Sequence, residues 1–288
     1  MTELVVRRLL VDLKTPLPRR WNGGDAFRTA LFDALSMSFP AGEQLFIDSM
    51  KRGLAALPPE TGLAFAAEVR AFIGQEATHR RVHALFNEHL TAQGFTNRWE
   101  PRIRRRHEQL AEMGPRNGLA VTAATEHLTA LFADHLMAHP ELLAGAQPRL
   151  AQLWLWHSAE ESEHRSTAFD LYRALGGNDV WRLRIFRVVT GHFLIDLARQ
   201  TALNLWHDGS LFRPSTWVSA WRTLFGGAGL LSNSWAGWRR YDSADFHPSQ
   251  GEGETARAWL AAHAAIAPPN AVPMAVAVAV AVAVPAAT

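Results

Sequence analysis

Residues 156–164 of this chain have the sequence WHSAEESEH, and residues 75–79 have the sequence QEATH. Both stretches contain a glutamate that is followed three residues later by a histidine. On an α-helix, residues at this spacing lie one turn apart on the same face, so both side chains can reach one point. One such pair arises easily by chance on a solvated helix. This chain contains two pairs, Glu76 with His79 and Glu161 with His164.

The positions of two further glutamates strengthen this pattern. Glu43 precedes Glu76 by 33 residues, and Glu126 precedes Glu161 by 35 residues. The chain therefore repeats one half, a helix with a glutamate and then a helix with a glutamate–histidine pair. Four such helices can direct all these side chains into the centre of one bundle, as in two-metal carboxylate proteins. The alternatives are surface glutamates and histidines, or a buried cluster of salt bridges.

The residue types in this pattern are ligands for two metal ions. The chain has no cysteine, which excludes thiolate zinc sites, cysteine-ligated iron–sulfur clusters and cysteine nucleophiles. His157 lies four residues before Glu161 in the same sector of the helix, and we predict it as a third imidazole ligand. A supporting or core role for His157 is the alternative. We expect two iron ions, with manganese or zinc as the alternative. The predicted catalytic carboxylates are Glu43, Glu76, Glu126 and Glu161, and the predicted metal ligands are these four with His79, His157 and His164.

Two neighbours of these residues are assigned other roles. His83 shares a helix face with His79 but has no counterpart in the second half, so we predict that it supports the site or packs in the core. Glu163 points away from the metal-facing sector, and we predict a solvated or ion-paired glutamate.

Apolar residues recur at three- and four-residue spacing through most of the first 240 positions, which is the period of an α-helix. We predict an all-α, ferritin-like four-helix bundle with additional C-terminal helices and a disordered tail. Two domains are expected: a di-metal helical domain at residues 1–245, and a weakly structured region at 246–288 that ends in an Ala-Val alternation. Pro40 is predicted to end or kink the first helix, and the arginine-rich connector after residue 97 to be a solvated helix face. The predicted helices span residues 25–39, 42–57, 59–92, 116–138, 148–175 and 179–207, with shorter ones in 214–240 and a weak one at 255–266.

Composition limits the classes of partner. Hydrophobic residues make up 48% of the chain and charged residues 19%, which is typical of a globular protein. A net charge of +2 predicts no nucleic-acid partner.

The most apolar stretch, residues 180–205, contains five charged residues, so we expect no stable membrane insertion. The first 13 residues lack the apolar segment of a signal peptide, and we expect a cytoplasmic protein.

Several sequence segments resemble a known protein family. FPAGEQLF at residues 39–46, QEATH at 75–79, and WHSAEESEH at 156–164 with AFD at 168–170 resemble a bacterial family of predicted metal-dependent hydrolases. This resemblance covers roughly residues 1–245. The order of the seven ligands is also similar to the di-iron site of the p-aminobenzoate N-oxygenase type. That second resemblance implies a ferritin-like fold and the use of dioxygen to oxidise an amine.

We therefore expect a di-iron carboxylate enzyme that activates O2 to oxidise a small organic substrate, because the ligand pattern fits oxygen chemistry better than hydrolysis. A two-metal hydrolase is the alternative. A ferroxidase or iron-binding protein is the third interpretation, which the large C-terminal region disfavours. A radical-generating subunit is disfavoured because no tyrosine occurs between His79 and Tyr172. The expected partners are a small-molecule substrate, O2 and an electron donor, and a homodimer is left open.

Overall fold

The computed structural model describes residues 4–251 and 253–270. These residues form ten α-helices and two short 3-10 helices, and among them no β-strand occurs apart from two isolated bridges. The all-α prediction is confirmed. The tail predicted to be disordered spans residues 269–288, and its residues 271–288 lie outside the described residues. Pro269 and Asn270 are ordered against the first described residues, so the prediction is wrong for these two. The helices are α1 (Ala26–Ala55), α2 (Pro59–Ala92), α3 (Glu100–Glu112), α4 (Pro115–Ala138), α5 (Pro148–His164), α6 (Thr167–Ala174), α7 (Asp179–His207), α8 (Pro214–Phe225), α9 (Leu230–Arg240) and α10 (Glu254–Ala262).

Local sequence signals set many of these boundaries. Proline occupies the first position of α2, α4, α5 and α8, where its missing N–H costs no helical hydrogen bond. Asp25 caps α1 by accepting a hydrogen bond from the Arg28 backbone N–H, and Asn178 caps α7 in the same way through Trp181. Gly94 and Gly176 follow the ends of α2 and α6 with positive φ angles, a conformation that glycine adopts without a steric penalty.

α1 continues through Pro40, so the prediction of two separate helices at residues 25–39 and 42–57 is wrong. A proline at this position leaves the carbonyl oxygen of Ser36 without its helical donor and displaces the carbonyl oxygens before it. Side chains outside α1 supply the missing hydrogen bonds. Asn87 Nδ2 donates to the Ser36 carbonyl at 2.9 Å, and Asn97 Nδ2 donates to the Met37 carbonyl at 2.7 Å.

The predicted single helix at residues 148–175 is divided after His164 into α5 and α6. Arg165 stands at the break, where its guanidinium forms two hydrogen bonds with the Asp134 carboxylate of α4 at 2.7 and 3.0 Å. Its Nε also donates to the Ser162 carbonyl near the end of α5. The second glutamate–histidine pair therefore lies in the last turn of a helix and not in mid-helix as predicted.

Four helices surround the centre of the molecule. α1 packs along α2 and α4, α4 packs along α5, and α5 contacts α2. Glycines allow α1 and α4 to approach closely: a Cβ atom on Gly53 would lie 2.7 Å from Leu119, and one on Gly118 would lie 2.9 Å from Ser49. The four helices form a bundle, and its ferritin-like character stays a prediction.

α7 packs across α1 and α4, and α3 contacts the same two helices. Asp196 of α7 is buried and pairs with both Arg102 and Arg106 of α3, at 2.7 Å from each. The prediction of a solvated helix face therefore holds for only part of the arginine-rich segment. The exposed Arg104 and Arg105 belong to that part. None of the described helices is long and apolar enough to cross a membrane.

The first described residues pair with the last ones. The backbone N–H groups of Arg8 and Leu10 donate to the carbonyl oxygens of Pro268 and Ile266, at 3.0 and 2.7 Å, and Asn270 N–H donates to Val6 at 2.8 Å. We call residues 4–10 the N-terminal segment and residues 266–270 the C-terminal segment. α10 packs on α5 before the C-terminal segment begins. The division into domains at residue 245 stays a prediction.

Candidate metal centre

The seven predicted ligands come from the four helices of the bundle and meet in its interior. Glu43 lies on α1, Glu76 and His79 on α2, and Glu126 on α4, while α5 carries His157, Glu161 and His164. All seven side chains are buried. Phe39 packs beside His157 and Phe72 beside His164, with ring centroids 4.6 and 4.8 Å apart, so apolar rings close the cluster on two sides.

The ligand atoms form two groups with Glu161 between them. Glu43, His79 and His157 each offer one atom within 4.8 Å of the others, and so do Glu76, Glu126 and His164. Glu76, His79 and Glu161 form a third such set, which links the other two. Oε1 of Glu161 lies 3.1 Å from His157 Nε2 and 3.5 Å from both His79 Nδ1 and His164 Nε2. Each group can hold one ion, and Glu161 can reach both.

Nine buried ligand atoms in this cluster lack a hydrogen-bond partner, and this is the observation that fits cations. They are both oxygens of Glu43, Glu76 and Glu126, Oε2 of Glu161, Nδ1 of His79 and Nε2 of His164. Buried carboxylates without donors carry a large free-energy cost. Two divalent cations would offset the negative charge and occupy these lone pairs, so the residues present fit a two-metal centre.

Two of the histidines are oriented by acceptors outside the cluster. His79 Nε2 donates to Glu160 Oε2 at 2.9 Å, and His164 Nδ1 donates to Gln75 Oε1 at 3.2 Å. In each ring the outer nitrogen therefore keeps a proton, and the nitrogen that faces the cluster is the one that can offer a lone pair to a metal ion. This is the tautomer that a metal-binding histidine needs.

His157 is oriented by a chain of hydrogen bonds that begins at Asn87. Ser36 Oγ donates to Asn87 Oδ1 at 2.8 Å, so it accepts from Nδ1 of His83 at 2.9 Å. Nε2 of His83 then accepts from Nδ1 of His157 at 2.7 Å, which leaves the inner Nε2 of His157 as the lone-pair nitrogen. His83 supports the site, as one of the two predicted roles. Whether His157 binds metal stays a prediction, but its ring faces the cluster.

A second network links these supporting groups to the N-terminal segment. The Arg7 guanidinium donates to Glu160 at 3.2 Å and to Glu163 at 2.7 and 3.0 Å. Gln75 Nε2 donates to Glu163 Oε2 at 2.9 Å. The predicted ion pairing of Glu163 is confirmed. Arg7, Gln75 and Glu160 were not identified from the sequence; Gln75 and Glu160 adjoin predicted ligands, whereas Arg7 carries no local signal.

The electrostatics of the cluster show where charge is missing. The pKa values of Glu43, Glu76 and Glu126 are all raised well above the ordinary value of a glutamate. Burial is the largest cause, and the charge of Glu161 raises the three pKa values further. Burial also acts to raise the pKa of Glu161, but the charge of His164 and the close approach of the imidazoles of His157 and His79 hold it well below the ordinary value. A cation bound by these carboxylates would lower their pKa values, so metal binding would release protons.

The histidines divide into one charged and two neutral groups. Burial lowers the pKa of His79, but its hydrogen bond with Glu160 and the nearby charge of Glu161 outweigh burial and raise it to about 10. Burial lowers the pKa of His157 to about 4 and that of His83 well below its ordinary value. His83 and His157 are therefore neutral at pH 7, as their hydrogen-bond chain requires.

The sequence model of one protein family, described as predicted metal-dependent hydrolase, matches residues 5–252 of this chain. No curated protein matches the chain. No solved structure matches it either.

Proposed function

This chain belongs to the family of predicted metal-dependent hydrolases, and we propose that it hydrolyses a small organic substrate with two divalent cations held by its seven buried ligands. The observation that carries this proposal is the set of nine unpaired ligand atoms in two adjacent groups. Such a cluster is too costly to bury for structural reasons alone. The identity of the cations is part of the proposal, with iron, manganese and zinc as the candidates.

Two adjacent cations supply a Lewis acid for the scissile group and a hydroxide nucleophile at neutral pH. The side chains of this protein supply the geometry. Glu161 lies between the two groups and would hold them at a fixed separation. Glu160, Gln75 and His83 orient the three imidazoles. The three remaining carboxylates would offset the charge of the cations.

A second candidate is the O2-activating di-iron enzyme that the ligand pattern leads us to expect. The observation that favours it is the orientation of His157 toward the cluster, which would give one iron two nitrogen ligands. Hydrolysis ranks first because the family description supports it. A ferroxidase ranks third, as nothing in the described residues favours it.

The first prediction tests the metal centre. Purified protein should contain two ions per chain by elemental analysis, and Glu76→Gln should lose at least one of them. A lost ligand should weaken affinity by more than the roughly 10–100-fold seen when a supporting residue is lost. The matched control is Glu88→Gln, which changes an exposed glutamate on the same helix. Full metal content in Glu76→Gln would refute the ligand assignment.

The two chemical candidates are separated by loading the same protein with different metals. Zinc- or manganese-loaded protein should hydrolyse ester or amide substrates without O2, and Glu76→Gln should abolish the activity. If only the Fe(II) protein is active, and only when O2 is consumed, the oxygenase replaces the hydrolase.

A further inference from the structure

An apolar pocket adjoins the metal centre on the side of α1. It lies between α1, α3, α4 and α7 and has a volume of about 280 Å³. On α4 its lining residues recur every fourth position from Asn117 to Thr129, which corresponds to about 18 Å along the helix axis. The pocket is therefore long and narrow, and we call it the apolar channel.

Twelve of the 21 residues that line the apolar channel are hydrophobic, and eight are polar. Most of the polar lining residues form hydrogen bonds or ion pairs with other parts of the protein. Asn117 accepts a hydrogen bond from the Trp181 indole, Thr125 donates to the Val121 carbonyl, and Arg106 pairs with Asp196. The channel therefore offers little to a charged ligand and suits a neutral, non-polar one. The apolar lining residues include Phe39, Leu45, Phe46, Trp99, Ile103, Leu110, Met113, Val121, Ile185, Val188, Val189 and Phe193.

The inner end of the channel reaches the ligands. Glu43 belongs both to the channel wall and to one ligand group. A smaller cavity of about 20 Å³ is lined by His157 and Glu161, and it shares Phe39 and Phe193 with the channel. A molecule that fills the channel would thus end beside the proposed cations, with two phenylalanine rings between its inner end and His157.

The outer wall of the channel is α3, and the other described helices leave part of α3 exposed. α3 has no fully buried residue, although Ile103, Leu110 and Met113 face the channel. It is attached by the pairs of Arg102 and Arg106 with Asp196, and by Arg52, which donates to carbonyl oxygens at its C-terminal end. Few bonds would have to break for α3 to move and admit a substrate.

We propose that the apolar channel binds the non-polar part of the substrate, and that the substrates are neutral esters or amides with a long alkyl or aromatic group. This inference rests on the proposed function. Hydrolysis of such an ester forms a bond between the water oxygen and the acyl carbon and breaks the acyl carbon–oxygen bond. One proton of the water goes to the alkoxide that leaves, and the other is released from the carboxylic acid at neutral pH.

The test fills the channel without disturbing the fold. Gly42 lines the channel, and a Cβ atom there meets no atom within 4 Å, so Gly42→Leu places a side chain in open space. Leucine also favours the helix over glycine. Gly191→Leu on α7 is the matched control, because Gly191 has the same free space but does not line the channel. Elemental analysis and circular dichroism establish that both variants keep their metal and their helices.

In metal-loaded protein, Gly42→Leu should lower kcat/KM for ethyl octanoate, followed by proton release, by about tenfold or more, the scale of one or two lost methylene contacts. It should change kcat/KM for ethyl acetate by less than about threefold, since neither short group of ethyl acetate fills the channel. Gly191→Leu should match the wild type with both esters. Equal losses of kcat/KM for both esters, or no loss in Gly42→Leu, would overturn the assignment of the channel as the binding site for the non-polar group. Either result would leave the proposed function standing.

Binding of the neutral fluorophore N-phenyl-1-naphthylamine tests the channel without catalysis. We expect wild type and Gly191→Leu to bind it and Gly42→Leu to bind it at least about tenfold more weakly. If this pattern holds while no metal supports ester or amide hydrolysis, the proposed function fails and the apolar channel remains. Equal binding by all three proteins would contradict the channel.

Discussion

At the scale of single residues, the orientation of the histidine rings is the most informative feature of the centre. Each imidazole that faces the cluster has its other nitrogen bonded to a group of the protein. These bonds fix the orientation of each ring and determine which nitrogen keeps its proton when a cation binds. The centre is thus prepared for cations by residues that do not touch them.

The second prediction concerns the support of His157. His83→Phe keeps an aromatic ring but removes the acceptor for His157 Nδ1–H. We expect the affinity for one ion to fall about 10–100-fold, while the ion of the other group is retained. Competition with a chelator measures both affinities. His207→Phe, an exposed histidine at the end of α7, is the control. Unchanged affinities in His83→Phe would show that the hydrogen-bond chain does not position His157.

The third prediction concerns pH and a carboxyl group far from the centre. Asp33 is buried on α1 and accepts one hydrogen bond, from the Trp21 indole at 2.8 Å. Burial raises its pKa from 3.8 to about 8. The folded state therefore prefers the protonated form, whose stabilising contribution is complete below pH 3.8 and is lost as the pH rises through about 8.

Asp33→Asn should remove this pH dependence, because an amide does not ionise, and its oxygen can still accept from Trp21. Between pH 5 and 8 the unfolding free energy of the wild type should fall relative to the variant, by up to about 1.4 kcal/mol per pH unit. Urea denaturation at several pH values measures the difference. Parallel curves for the two proteins would mean that Asp33 is ionised in the folded state.

The seven candidate ligands could be predicted because a helical pair leaves a local mark in the sequence. Glu76 and His79 are three residues apart, so their spacing alone indicates a shared helix face. Arg7 acts on Glu160 across 153 positions, and no pattern in the sequence connects them. Supporting residues of this kind are found only when the tertiary structure is known.

At the scale of helices, α1 shows how tertiary contacts override a local signal. Proline is a reliable helix breaker when nothing replaces the lost hydrogen bond. Here Asn87 serves the Ser36 carbonyl, and its own side-chain oxygen accepts from the Ser36 hydroxyl. The local sequence around Pro40 contains no trace of a partner on α2. The break between α5 and α6 was missed for the same reason, since its partner Asp134 lies on α4.

The fourth prediction is that Asn87 and Pro40 are energetically coupled. Asn87→Ala should lower the free energy of unfolding by about 1–3 kcal/mol, because it leaves the buried Ser36 carbonyl without a donor. In a Pro40→Ala background the N–H of residue 40 can bond that carbonyl, so Asn87→Ala should cost less. Chemical denaturation of the two single variants and the double variant gives the coupling energy. Additive losses would show that Asn87 does not compensate for the proline.

At the scale of the whole molecule, the two chain segments that pair with each other contribute to the metal centre. The C-terminal segment bonds to the N-terminal segment, and the N-terminal segment carries Arg7 to Glu160 and Glu163. A Cβ atom on Gly74 would lie 2.5 Å from Val6, so the N-terminal segment also lies directly against α2. Helical periodicity predicted the bundle but could not predict this connection, because neither segment is helical.

The fifth prediction uses two truncations. Removing residues 264–288 deletes the C-terminal segment, so Arg7 should lose its fixed position and metal affinity should fall, by up to about 10–100-fold. Removing residues 271–288 keeps the C-terminal segment and should leave the affinity unchanged. Chelator competition compares the two proteins, and circular dichroism establishes that both keep their helices. Equal affinities would show that the C-terminal segment does not support the centre.

The pairing of the terminal segments also bears on when the protein can capture its metal. Arg7 and Pro269 are about 260 positions apart, and contacts of such separation form late because the loop must close first. During synthesis α1 to α5 emerge with all seven ligands well before residues 266–270 leave the ribosome. A cation that binds early would therefore meet Glu160 and Glu163 before the C-terminal segment holds Arg7 against them. On the proposed function, the full affinity for the metal would develop only when residues 266–270 arrive.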